Sequence, residues 1–144
     1  MTNIKNGDIF ITRYHDEEKN GFPGYWNHAC IYNDGMIIEA LMEIGVHTIP
    51  FEEWVKGVDR YIQLRYKGKE KKAQVAGKHA LTMIGLPYRM VTSVFVFLTP
   101  WRIKKGVNCI SVVRLAYKKA FKEDPGWVKA DDILEDEMFN KILD

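Results

Sequence analysis

Alternating apolar and polar side chains dominate the first half of the chain, and helical spacing dominates the second. "GDIFITRY" alternates from Gly7 onward and predicts a strand. "WNHACIY" (Trp26–Tyr32) and "MIIEALM" (Met36–Met42) predict two more, joined by Asn33-Asp34-Gly35. Asp-Gly accepts the positive φ angles of a two-residue hairpin turn, so this junction is a strong hairpin signal. "GVHTIPF" predicts a third strand of the meander, "PFEEWVKG" a short helix between Pro50 and Gly57, and "DRYIQLRY" another strand. "HDEEKNGFPGY", polar with Gly21, Pro23 and Gly24, predicts a loop of about ten residues, a length often tied to function.

The period then changes. "KEKKAQVAGKHALTMIG" places Val75, Ala76, His79, Ala80 and Met83 on one helical stripe. "LPYRMVTSVFVFLTPW" is ambiguous between irregular chain and a short apolar helix. "VNCISVVRLAYKKAF" predicts a helix with Ile110, Val113, Leu115, Ala116 and Ala120 apolar, and "KADDILEDEMFNKIL" a terminal helix from Asp131. Strands first and helices after is an α+β pattern, an antiparallel sheet or small barrel packed against helices. The expectation is one domain over residues 1–144.

Composition narrows the classes. The 21 basic and 19 acidic residues give a net charge of +2, which offers no electrostatic footprint for nucleic acid. "KGKEKK" (Lys67–Lys72) is locally basic and reads as a solvated helix start. The apolar run Val94–Leu98 is far shorter than the roughly 20 residues of a membrane helix, so no integral membrane segment is expected. The N-terminus shows no signal-peptide h-region, and two cysteines are too few for a disulfide framework. Reduced thiols and a cytoplasmic location are the default expectations. Oligomeric state is not legible.

Candidate chemistry comes from two places. With Asp34-Gly35 as the turn, facing residues of the hairpin have numbers summing to 69. His28 then faces Leu41, Cys30 faces Glu39, and Tyr32 faces Ile37, all on one face. His28 and Glu39 become diagonal neighbours, close enough for the carboxylate to hold one ring nitrogen and leave the other as a base. The plainer alternative is a half-buried histidine bonded to a neighbour, with Glu39 facing water. The second place is Cys109, at the start of a helix behind Asn108, a good N-cap. Unpaired N–H groups and the helix dipole there favour a thiolate and can stabilise an oxyanion. The plainer alternative is a small core hydrophobe. Cys30, mid-strand, reads as packing near the site.

The order "GDIFITRY", "WNHACIYNDGMIIEAL", "GLPY", "VNCISVVRLAY", "KADDIL" resembles the circularly permuted branch of the NlpC/P60 papain-like superfamily, in particular the YiiX/YaeF-like group related to lecithin:retinol acyltransferase-like proteins. The resemblance runs from about Gly7 to Leu134. It implies a permuted papain-like fold and a cysteine peptidase or amidase, with Cys109 as nucleophile, His28 as general base and Glu39 as orienting group. Tyr88 of "GLPY", with Tyr25 and Trp26 at the junction of the long loop and the histidine strand, are the expected substrate contacts. The implied substrate is a small peptide, peptidoglycan-type or other, or an N-acyl amide, with no cofactor and no metal. Two departures stand out: Ile110-Ser111 follows the cysteine in place of a polar pair, and Arg89 follows "PY" in place of an acid. Where the acyltransferase relatives often place a second histidine, this chain has Glu39, and His47 reads as too far along the next strand.

Three alternatives remain open at this level. The acyl group passes to an acceptor other than water; the domain binds without catalysing; or His28, Cys30 and Cys109, with His47 or His79, hold a metal. The last lacks any C-x-x-C or H-x-x-x-H spacing.

Overall fold

The computed structural model describes residues 3–14, 26–88 and 108–142. The loop from His15 to Tyr25 and the run Val94–Leu98 lie outside them. In chain order the elements are β1 (Ile9–Tyr14), β2 (His28–Asn33), β3 (Met36–Leu41), β4 (Gly45–Pro50), α1 (Phe51–Trp54) with a 3-10 turn (Val55–Gly57), β5 (Val58–Tyr66), α2 (Glu70–Leu81), α3 (Cys109–Phe121), α4 (Ala130–Leu134) and β6 (Phe139–Ile142). The strands form one six-stranded antiparallel sheet in the order β4-β3-β2-β1-β5-β6.

The expected hairpin is present in the expected register. Ile31 pairs with Ile38, Tyr32 with Ile37 and Asn33 with Met36. Asp34 and Gly35 both take positive φ, 47° and 83°, as a type I′ turn requires.

Period-two alternation gives the sheet two distinct faces. Ile9, Ile11, Ala29, Ile31, Ile38 and Ala40 point toward α2 and α3 and form the main core with Ile110, Val112, Val113, Ala116 and Tyr117. Phe10, Cys30 and Ile37 point the other way, into a smaller aromatic cluster closed by Trp54, Phe51 and Tyr61 around α1.

Helix α2 approaches closely because its inner face is small. Ala73, Ala76, Gly77 and Ala80 are buried, with Met83 beyond them. The expected stripe differs at its edge: Val75 is 43% exposed and His79 stands at the edge of the interface. Ala76, Ala80 and Met83 of the expected stripe are buried as expected, and Ala73 and Gly77 complete the inner face in place of Val75 and His79. Gly7, at φ +90°, lies against this helix, and a Cβ there would run into the Ala73 carbonyl.

The C-terminal segment departs from expectation more sharply. Helix α4 covers only Ala130–Leu134, and residues 139–142 form edge strand β6 on β5. Phe139 explains the switch, since it fills an aromatic cluster with Tyr66, Tyr117 and Trp127. Buried Asp8 ties β1 to β5 by accepting from Gln63 Nε2 at 2.7 Å and from Arg65 Nε and Nη2 at 3.0 and 2.7 Å.

Gly7→Ala should cost on the order of 3 kcal/mol in urea unfolding, because positive φ and the Ala73 carbonyl both oppose a Cβ. A loss below about 0.5 kcal/mol would show that α2 does not need this approach.

Candidate active site

Glu39 lies in the middle of β3 and is 2% exposed. A buried carboxylate is costly unless it is paired and hydrogen-bonded. Here three donors from three elements converge on it. His28 Nε2 from β2 lies 2.7 Å from Oε2, Trp54 Nε1 from α1 donates to Oε2 at 3.2 Å, and His47 Nε2 from β4 lies 3.1 Å from Oε1. An ionised carboxylate only accepts, so Nε2 of His28 carries the hydrogen, and Nδ1 is the nitrogen left for other chemistry.

His28 is the first residue of β2 and has no exposed surface. Its other side-chain partner is Cys109, the first residue of α3. This helix packs on the face of the sheet that carries Ala29, Ile31 and Ile38, with Cys109 in the main core. The two side chains meet because His28 stands at the end of its strand, where α3 begins.

Asn108 caps α3 as expected. Its Oδ1 accepts from Ser111 N at 2.8 Å and from Ser111 Oγ at 2.9 Å. Val112 N–H closes the first turn on the Asn108 carbonyl. The N–H groups of Cys109 and Ile110 take no part in either contact. Ser111, one of the departures from the family pattern, thus completes the cap.

The electrostatics favour a charged imidazole. Burial lowers the His28 pKa, but hydrogen bonds to Cys109 and Glu39, and their negative charge, outweigh it and raise it to about 9. Burial, then the charges of Glu39 and Cys109, push the Cys30 thiol well above its ordinary value. Burial and the Cys109 charge likewise raise the Tyr88 hydroxyl, and that half-buried ring packs against the core that contains Cys109. Backbone pairing puts it there: Val46 N–H donates to the Leu86 carbonyl and Gly85 N–H to the Val46 carbonyl, both at 2.9 Å.

Cys109, His28, Glu39 and Tyr88 therefore come together. Trp26, like Tyr88, packs against the main core that contains Cys109. It lines a groove of about 520 Å³ with Val58, Tyr61 and Ile62, whose lining includes neither Cys109 nor His28. Tyr25 lies outside the described residues. His47 and Trp54 were missed as members of the site. His47 is not too far along its strand: it is the direct cross-strand partner of Glu39. Trp54 carried a signal, since a buried indole N–H needs an acceptor and Glu39 is the buried carboxylate nearby in sequence.

The metal alternative changes its membership. One ligand atom each from His28, Cys30 and Glu39 lies within 4.8 Å of the others, a donor set of thiol, imidazole and carboxylate. His79 is elsewhere, in a groove between α2 and α3 with Lys118, Lys119 and Lys122. Both cysteines are free thiols. Among the described residues no helix is long and apolar enough to cross a membrane.

The model of the permuted papain-like amidase enzymes, YaeF/YiiX, C92 family, matches residues 3–140. The crystal structure of the metalloprotein yiiX from Escherichia coli O157:H7 is similar in fold, with a TM-score of 0.70 over 96% of each chain at 14% identity. No curated protein matches the sequence.

The raised His28 pKa makes stability depend on pH. The fold favours the protonated ring, so this contribution is complete below the ordinary value of 6.5 and is lost as pH rises through about 9. The stability gap between wild type and His28→Gln should narrow over that window, by up to about 3 kcal/mol in urea unfolding. A gap that stays constant with pH would show that the ring is not held protonated.

Proposed function

We propose an acyl-enzyme mechanism on Cys109 for this chain, which belongs to the permuted papain-like amidase family, YaeF/YiiX, C92. The observation that carries the reading is the divided histidine: Glu39 holds Nε2 of His28 at 2.7 Å while Cys109 is the ring's other partner. A carboxylate on one nitrogen fixes ring orientation and favours the imidazolium, which in turn favours a thiolate beside it.

The reaction then runs in two balanced halves. The Cys109 thiolate adds to the substrate carbonyl, and the tetrahedral oxyanion is met by the N–H groups at the start of α3. The C–N bond breaks as imidazolium His28 gives its proton to the leaving amine, which leaves a thioester on Cys109 and a neutral ring. Neutral His28 takes a proton from water as the water attacks the thioester. The acid departs, and the thiolate and imidazolium are restored. We assign to Tyr88 contact with the acyl group or the oxyanion, a role supported by its packing against the core that contains Cys109. The substrate class is an amide, a small peptide or an N-acyl amide. Cys109 and His28 have no exposed surface, so the sulfur must become accessible before a substrate reaches it. Such a step can limit turnover independently of the chemistry.

Iodoacetamide labelling of Cys109 across pH, read by peptide mass spectrometry, tests the activation directly. In wild type, labelling should be fast at neutral pH, slowed at least about ten-fold by His28→Ala and less by Glu39→Gln. Turnover of any amide found by screening should fall about 10²–10⁴-fold in His28→Ala. Equal labelling in all three proteins, rising only near the ordinary thiol value of about 8.5, would make Cys109 a structural residue.

A further inference from the structure

Cys30 is left without a part in this mechanism, yet it sits inside the same cluster. It is two residues from His28 on β2 and, in the hairpin register, opposite Glu39. It is fully buried, and its thiol donates one weak hydrogen bond, to the Phe10 carbonyl at 3.7 Å. Its sulfur, a ring nitrogen of His28 and a carboxylate oxygen of Glu39 all lie within 4.8 Å of one another.

We propose that His28, Cys30 and Glu39 form a binding site for a borderline-soft divalent cation of the Zn²⁺ class, which holds the enzyme inactive while bound. Sulfur, nitrogen and carboxylate oxygen are the donors that such a cation selects, and magnesium and calcium would take oxygen alone. Tetrahedral bonds of about 2.0–2.3 Å set donors about 3.5 Å apart. The present spacing of up to 4.8 Å, with 2.7 Å between His28 and Glu39, reaches that by side-chain shifts of about 1 Å. His47 on Oε1 and Trp54 on Oε2 already fix the carboxylate from behind, as outer partners of metal ligands do. The His47 side chain is 24% exposed, which gives the cluster a link to solvent.

Proton balance follows from the donors. On binding, the Cys30 thiol loses its proton and any proton between His28 and Glu39 is displaced, so uptake releases protons and weakens as pH falls. A ring with one nitrogen on a cation cannot become imidazolium. It therefore has no imidazolium proton to supply to a leaving amine, which blocks the acylation half of the reaction. This regulatory half rests on the hydrolase reading; the binding half does not.

The test uses the full chain with the metal alone as probe. Co²⁺ is titrated into metal-free wild type, Cys109→Ser and Cys30→Ser, and the sulfur-to-metal charge-transfer band is followed in the near ultraviolet. The chain has two cysteines, so in Cys109→Ser only Cys30 can give the band. We expect the band to saturate at one equivalent in wild type and Cys109→Ser, to be lost in Cys30→Ser, and to be displaced by Zn²⁺. Glu39→Gln should weaken Co²⁺ binding at least about ten-fold. Zn²⁺ should suppress wild-type turnover of any amide found by screening. Loss of the band in Cys109→Ser, its survival in Cys30→Ser, or no band at all overturns the proposal. The spectrum does not need turnover: a band alongside an unactivated Cys109 would sink the hydrolase reading and leave the metal site standing. An activated Cys109 without a band would do the reverse.

Discussion

The buried charge of Glu39 is the constraint around which the rest of the site is arranged. A carboxylate at 2% exposure is tolerable only if its lone pairs are filled, and filling them requires β2, β4 and α1 in fixed positions. Each strand register is thereby coupled to the others. A slip of one residue in either hairpin would turn His28 or His47 to the opposite face and leave the charge exposed to an apolar interior. The same hydrogen bonds that make Glu39 affordable orient the His28 ring, so stability and chemistry draw on one set of contacts.

The opposite face of the sheet supplies Cys109, the candidate nucleophile, and it does so through rigid packing. Helix α3 is fixed at its start by the Asn108 cap and at its middle by Tyr117, whose hydroxyl donates to the Gly7 carbonyl. The aromatic cluster of Tyr66, Phe121, Trp127 and Phe139 closes around that tyrosine. Two attachments along one helix leave little freedom for Cys109 to move relative to the end of β2. Positioning of this kind is what a two-residue proton relay needs. The candidate site thus straddles the sheet: the His28–Glu39 pair hangs from one face and the Cys109 thiol from the other, and they meet where His28 begins β2.

What the sequence made legible follows from local rules. Asp34-Gly35 sets a two-residue turn, the turn sets the register, and the register places His28 diagonal to Glu39. Asn108 sets the start of a helix and so the place of Cys109. His47 and Trp54 escaped because their positions depend on a second register, fixed by the turn at Met42–Ile44 and the positive φ of Gly45, for which no two-residue rule applies. The α2 face was legible at Ala76, Ala80 and Met83, but its edge was misplaced by one position because Ala73 and Gly77, small residues without a hydrophobic signal, make the contact. The strand β6 escaped because "EDEMFNKI" carries no alternation, and its pairing is dictated by one phenylalanine seated in a distant aromatic cluster. The side of the sheet on which α3 docks is a tertiary fact: His28 and Ala29 point opposite ways, and nothing local says which neighbour the helix will cover.

The closeness that suits the proposed proton relay also suits the proposed metal site, and the two uses differ only in which cation fills the space. In the relay, protons shared among Cys109, His28 and Glu39 offset the desolvated negative charge. A divalent cation offsets it more strongly, once a second thiol is near enough to join. Cys30 is that thiol, held protonated by burial beside two negative groups. Replacing it by a larger apolar residue would crowd the aromatic cluster of Phe10, Ile37 and Trp54, and a smaller one would leave a void there, so packing alone favours a residue of this size. Packing does not require sulfur, however, and alanine or serine variants at this one position separate the demand of the core from the demand of a cation.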